Sequence, residues 1–234
     1  DIKFRTEDIV KMIQADKSLI IGPVALKGYN WDEIRSSAIN GEYNIERTGG
    51  VFNINKLPDA THLLFIDADI KFRVEDVVKM IQADKSLIIG PVALKGYQWE
   101  EIRQAAINGE DDIARTGGVF NINKLPGIDM VDENEPFEIE HGGNAFMMIR
   151  RDCFETLKPH TPIYTNGGRS LPDGVEIKDY FRVEINKDTN HLLSEDYFFC
   201  HSYRQVGGKV WCAPWVETGH FGSHLFNGKY TRNN

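Results

Sequence analysis

The sequence predicts an α/β fold, a mixed and mostly parallel sheet flanked by helices, on three observations. Apolar runs of strand length, such as residues 63–66 and 87–94, alternate with stretches of helical periodicity. One long segment occurs twice in tandem, so the alternation is itself repeated. The run at 63–66 ends in two aspartates, at the carboxyl end of a strand, where open α/β sheets bind their ligands.

The bulk properties narrow the function classes. A chain of 234 residues suits one large α/β domain or two small ones. At that length roughly 70–75% of the unfolded surface can be buried, so no disulfide or metal scaffold is required for folding. The balance of 41% hydrophobic and 26% charged residues is that of an ordinary globular protein. A net charge of −8 argues against a polyanion-binding face, and no nucleic-acid-binding surface is expected. The three cysteines, Cys153, Cys200 and Cys212, lack CxxC spacing, which fits a reduced, intracellular, cytoplasmic protein. With no apolar run of about 18 residues and no charged-then-apolar leader, neither a membrane span nor a signal peptide is expected. The chain opens at Asp1 rather than a methionine, so a longer natural N-terminus is expected.

Residues 1–58 return as residues 69–126, with nine substitutions, among them Thr6 to Val74, Asn30 to Gln98 and Tyr43 to Asp111. Scattered, mostly mild changes mark a divergent tandem duplication. Two copies are too few for a solenoid. Each copy reads as helix, strand, helix, strand. In the second, Val74, Val77, Val78 and Ile81 lie at i, i+3, i+4 and i+7, one face of a helix. Residues 87–94 form a buried strand, 99–107 a helix closed near Gly109, and 118–122 a further strand. The first copy repeats this with a strand at 19–26, a helix at 31–39 and a strand at 51–54, and Thr6 as its helix cap. Downstream, strands are expected at 137–141 and 145–149 and a helix at 152–157. A polar stretch rich in Pro, Gly and Asp at 158–190 reads as a substrate loop. Ser194 caps a helix running to Gly207 and Gly208, and a strand follows at 209–212.

Four short motifs carry the chemistry. In the first, HLLFIDAD, the strand delivers Asp67 and Asp69 at i and i+2. Carboxylate oxygens suit Mg²⁺ or Mn²⁺, which can bridge diphosphate oxygens and neutralise a phosphate leaving group. The same pair could equally be turn aspartates capping the following helix. A haloacid-dehalogenase-type phosphatase also begins with strand-DxD, but it wants Thr or Val where Lys71 stands. The first copy keeps only Asp1 and lacks the preceding strand, so it cannot form the acid pair.

The second motif, LSEDYFFC, places Glu195 and Asp196 in the first turn of a helix. The helix dipole alone favours acids there. A carboxylate held so can also act as general base on a hydroxyl. In the third, TGHFGSH, glycines around a histidine allow close approach to a metal or phosphate, with His220 favoured over His224. In the fourth, EHGGNAFMMIRR, Gly142 and Gly143 leave room for a sugar ring and Asn144 offers a donor and an acceptor. A β-bulge before a buried strand accounts for the glycines equally well.

Strand-DAD, GGNAFMMIRR, LSEDYFFC and GHFG, in that order over about residues 61–230, resemble the GT-A glycosyltransferases. The similarity extends to the small viral and bacterial enzymes of that type and, more distantly, to the Anp1-like mannosyltransferases. The resemblance implies a GT-A-like sheet, a Mn²⁺ or Mg²⁺ cofactor, a nucleotide-sugar donor and a hydroxyl acceptor on a glycan, lipid or other molecule. It implies Asp67 on the nucleotide ribose or metal, Asp69 on metal and diphosphate, and His220 completing the metal shell. Gly142, Gly143 and Asn144 would line the sugar pocket, with Asp196 the catalytic base and Glu195 beside it. The family carries a nucleotide-binding βαβ unit ahead of its DxD strand. Here residues 1–60, the first copy, take that place before a core at 61–234, and they show no uridine- or guanine-binding loop. Both copies compete for one place in the sheet, which adds a homo-oligomer or domain swap to the expectations.

The leading expectation is therefore a metal-dependent glycosyltransferase. A base at Asp196 would invert the anomeric centre, whereas the Anp1-like resemblance points to retention. The alternative is a non-catalytic binding or assembly module derived from such an enzyme. A metal phosphohydrolase is the third reading. The transferase reading requires the acids of the strand tip and of the later helix start to share one cleft.

Overall fold

The computed structural model describes residues 60–110, 117–128, 132–165, 174, 176–222 and 225–228, together with the backbone of 19–23. The first copy's expected helix at 31–39 and strand at 51–54, and His224, lie outside the described residues.

The core is a seven-stranded mixed sheet in the order β1 (Leu19–Pro23), β2 (His62–Ile66), β9 (Phe146–Arg150), β4 (Leu87–Ile89), β14 (Val210–Cys212), β8 (Phe137–Gly142) and β7 (Ile122–Lys124). Pairing is parallel at β1–β2 and at β4–β14 and antiparallel at the other junctions. β8 and β9 thus run against the remaining strands. The expectation of a mixed α/β sheet holds, and its strands mostly share one direction. Because the two reversed strands sit between others, most neighbouring pairs are nonetheless antiparallel.

The described residues include four α-helices, α1 (Val74–Gln82), α2 (Trp99–Ile107), α3 (Arg151–Leu157) and α4 (Glu195–Gln205), of which α1, α3 and α4 pack on the sheet. α1 forms where the apolar spacing predicted it, and Val77, Met80 and Ile81 are buried against Leu64, Ile88 and Phe146 on one face of the sheet. The other face holds Met147, Ile149, Leu87 and Ile139 under α3 and α4, through Cys153, Phe154, Phe199 and Cys200. Asp76 of α1 is buried but fully answered. Arg73 grips both its oxygens at 2.9 and 2.8 Å, and Glu217 N–H donates to it at 3.2 Å, tying α1 to the connection that follows β14. All three cysteines are buried free thiols, and burial pushes Cys200 up to about 12. Among the described residues no helix is long and apolar enough to cross a membrane.

Two expected strands break, each for a local reason. The run at 87–94 divides into β4 and β5 (Ala93–Tyr97), which leaves the central sheet to pair with β6 (Gly118–Phe120). Pro91 has no N–H to continue a ladder. Gly90 passes so close to Phe146 that a Cβ there would overlap the ring and lie 2.9 Å from Val216 Cγ1. The run at 118–122 likewise divides at Asn121 into β6 and β7, one in each sheet. The 158–190 segment is no bare loop. Its described parts include the antiparallel pair β10 (Ile163–Thr165) and β11 (Glu176–Lys178), and β12 (Glu184–Ile185), which pairs with β13 (Leu192–Leu193) just beyond the segment. Phe181 stacks on Phe199 at 4.5 Å between centroids and anchors the segment to the core.

Candidate active site

Strand register brings the motifs together. Ile66 pairs with Phe146, so the chain leaving β2 runs on beside the residue preceding β9, and Asp67 N–H donates to Ala145 O at 3.0 Å. That places the DAD motif against Gly143 and Asn144. Ile122 pairs with Gly142, and Gly143 N–H donates to Asn121 O at 3.2 Å, so the break between β6 and β7 adjoins the same turn. The GHFG motif, read from the sequence only as a glycine-rich segment around a histidine, is a strand: β15 (Thr218–Phe221). It lies between β16 (Leu225–Gly228) and β3 (Ile70–Lys71), with His220 opposite Ile70 and Phe221 N–H donating to Asp69 O at 2.8 Å.

These elements enclose a cavity of about 210 Å³, lined among others by Asp67, Asn121, Gly143, Asn144, Asp196 and His220. Of the four acids that the transferase reading needs in one cleft, Asp67 and Asp196 line this cavity. A larger cavity of about 630 Å³ lies between the ends of α3 and α4 and the 179–184 segment, but it contains none of the motif acids. The smaller one is the chemical candidate.

Asp196, 9% exposed, is oriented by its own helix start. Its Oδ1 accepts from the Ser194 hydroxyl and from Tyr197 N–H at 2.8 Å. Ser194 holds the N-cap position, yet its hydroxyl serves this carboxylate rather than a backbone N–H. Oδ2 faces Gly143, where a Cβ would stand 3.6 Å from it and 2.9 Å from Asn121 Nδ2. Behind it the Tyr197 hydroxyl donates to Asn121 Oδ1 and accepts from Asn123 Nδ2 at 2.9 Å, which fixes the Asn121 amide.

On the opposite wall, no hydrogen-bond donor among the described residues reaches the Asp67 carboxylate. Burial, and then the Asp69 charge, push it above its ordinary value; His220 and Lys95 pull it down, and Asp196 adds a further push upward. Burial also pushes Asp69 up. There the Lys95 hydrogen bond, with the His220 and Lys95 charges, outweighs it, and the carboxyl titrates below the ordinary value. Lys95 Nζ lies 2.7 Å from Asp69 Oδ2.

His220 Nδ1 is 2.9 Å from Ala93 O. A carbonyl oxygen only accepts, so Nδ1 carries the hydrogen. In a neutral ring the Nε2 lone pair then faces Asp69 Oδ2, 3.4 Å away. Lone pair against carboxylate is relieved only by a proton or by a cation between them.

Three of the expected residues stand differently. Glu195 is exposed and outside the cavity lining, because in an α-helix neighbouring residues point about 100° apart and Asp196 takes the inward direction. Gly142 ends β8 and is a packing position: a Cβ would press on Ile122 Cδ1 at 3.1 Å and Ile89 Cδ1 at 3.2 Å. Asp69 is set beside the cavity rather than in its wall and reaches it through His220. Sequence reasoning missed Lys95 and Asn121. A lone lysine in an apolar strand carries no signal. Asn121, a polar interruption in GVFNI, could have been found as the point where one strand becomes two.

Among the described residues no group of three His, Cys, Asp or Glu is drawn together closely enough to hold a metal ion as it stands. The donor types at Asp67, Asp69 and His220 Nε2 do suit a divalent ion. In their present arrangement Asp69 is turned to an ammonium instead.

No family model matches the chain, and no curated protein matches it by sequence. Among solved structures it is similar to A197 from STIV, with 11% identity and a TM-score of 0.41, over 88% of this chain and 86% of that one. It is also similar to GalNAc-T7, solved with UDP, GalNAc and Mn²⁺, with 13% identity and a TM-score of 0.43, over 91% of this chain and 39% of that one. Likenesses this loose say nothing of chemistry, which rests on the side chains.

Proposed function

We propose that the chain is a metal-dependent glycosyltransferase that moves a sugar from a nucleotide-sugar donor to a hydroxyl acceptor. One observation carries the reading: Asp67 and Asp196, far apart in sequence, line the same small cavity with Asn144 and His220. Asp67, Asp69 and His220 Nε2 would hold Mn²⁺ or Mg²⁺. When bound, that ion supplies charge neutralisation to the departing diphosphate. Gly143 keeps the cavity wall flat where a sugar ring would lie, and the Asn144 amide offers it both a donor and an acceptor. Asp196 Oδ1 is already saturated by Ser194 and Tyr197, so the acceptor's hydroxyl proton would pass to Oδ2. A base acting there would favour direct displacement by the acceptor oxygen, with inversion of the anomeric centre. Residues 1–60 would stand in for a nucleotide-binding unit, with β1 adding a parallel edge strand beside β2.

Nucleotide-sugar hydrolysis in the presence of Mn²⁺, measured over a panel of donors, tests this reading. The Asp67→Ala/Asp69→Ala protein is expected to lose it, and equal rates in both proteins would overturn the assignment. The second reading, a non-catalytic binding module, draws on the Lys95–Asp69 pair, which answers that acid without a metal. An absence of calorimetric heat with every donor, with or without metal, would favour it.

A further inference from the structure

We propose that Lys95 is the diphosphate-binding cation of this site, held on Asp69 until a divalent ion takes that carboxylate. The inference rests on the transferase reading and adds to it a residue with no motif of its own. Lys95 Nζ is 2.7 Å from Asp69 Oδ2, and His220 Nε2 approaches the same oxygen at 3.4 Å. One carboxylate oxygen is thus the meeting point of the ammonium and of the imidazole that would share a metal. An ion held by Asp69 and His220 would compete with Lys95 for that oxygen.

The displacement is easy. Both side chains are 42% exposed, and exposed pairs of this kind are weak. A Cβ at Gly222 would come 3.3 Å from Lys95 Cδ and 3.6 Å from Cε, so the second glycine of GHFG is the surface over which the stem lies. The freed ammonium, on its four-carbon stem, remains beside the metal with three donors to give. A diphosphate bridging that metal is the anion it meets there.

Isothermal titration of the full chain with Mn²⁺ alone, and then with inorganic pyrophosphate at saturating Mn²⁺, tests the exchange. Three proteins are compared: wild type, Lys95→Met, and Lys71→Met, an equal charge change at an exposed residue of β3. Lys95→Met is expected to bind Mn²⁺ about two- to fivefold more tightly, because its competitor is gone. It is expected to bind pyrophosphate at least about tenfold more weakly, because a charge-assisted contact is lost. Lys71→Met should move neither value by as much as half. Unchanged Mn²⁺ affinity, unchanged pyrophosphate affinity, or equal effects from Lys71→Met overturns this inference and leaves the transferase reading intact. If wild type binds neither Mn²⁺ nor pyrophosphate, both fall.

Discussion

Replacing Asp196 with asparagine separates chemistry from architecture at this site, and the structure supplies the magnitudes. An amide keeps an oxygen at the Oδ1 position, so the Ser194 hydroxyl and Tyr197 N–H retain their acceptor. Each bond falls from charge-assisted to neutral, a loss of about 1 kcal/mol apiece. Removing a buried negative charge that pushes Asp67 upward offsets part of that loss. The net change in stability is expected to stay under about 2 kcal/mol, or roughly 4–8 °C in Tm for a chain of this size. The loss of a proton acceptor is far larger: general-base removal costs about 10²- to 10⁴-fold in rate, equivalent to about 3–5 kcal/mol of barrier. The assay is donor turnover with Mn²⁺ and an acceptor alcohol, alongside thermal denaturation. Glu195→Gln is the matched control, since its exposed carboxyl lies outside the cavity; turnover there should stay within about threefold of wild type. Turnover by Asp196→Asn within tenfold of wild type would refute the base assignment, and a larger loss in Glu195→Gln would move the role one residue back.

Two further predictions concern the scaffold. Gly90→Ala forces a methyl against the fully buried Phe146 ring and Val216, and such overpacking should cost about 1–3 kcal/mol, read as a Tm lowered by about 2–12 °C; an unchanged Tm would mean that the Phe146 packing is looser than described. Arg150 holds Asp152 below the ordinary carboxylate range through bonds of 3.0 and 2.6 Å, with Ser86 adding one of 2.9 Å. A depressed folded-state value stabilises above the unfolded value and is lost as pH falls through the folded one. The Tm advantage of wild type over Asp152→Asn should therefore be present at pH 6 and close as pH falls below about 4, as followed by thermal melts across that range.

The legible parts of this fold are those that local chemistry decides. The spacing of Val74, Val77 and Ile81 made α1 readable, and Ser194 with Gly207 marked the two ends of α4. The acids at the tip of β2 were readable because a strand places its last side chains at the sheet's carboxyl edge. Strand direction and register were not. Nothing in FMMIR indicates that it runs backwards between β2 and β4, for the residues that decide this are its neighbours across the sheet. The duplication gives the sharpest case. The pentapeptide LIIGP at 19–23 is a parallel strand at the sheet's edge, while its copy at 87–91 starts a strand inside the sheet and then turns out of it at Gly90. One sequence thus takes two places, so the surroundings decide which.

The same separation explains why the catalytic candidates were found and their neighbours were not. Acids placed at a strand tip and at a helix start are local signals, whereas Lys95 and Asn121 join them only once β5 and β6 leave the central sheet together. The Asp67 carboxyl is half-buried beside Asp69 and Asp196, where burial and like charge both work against its ionised form. In the proposed transferase a bound cation would offset that cost.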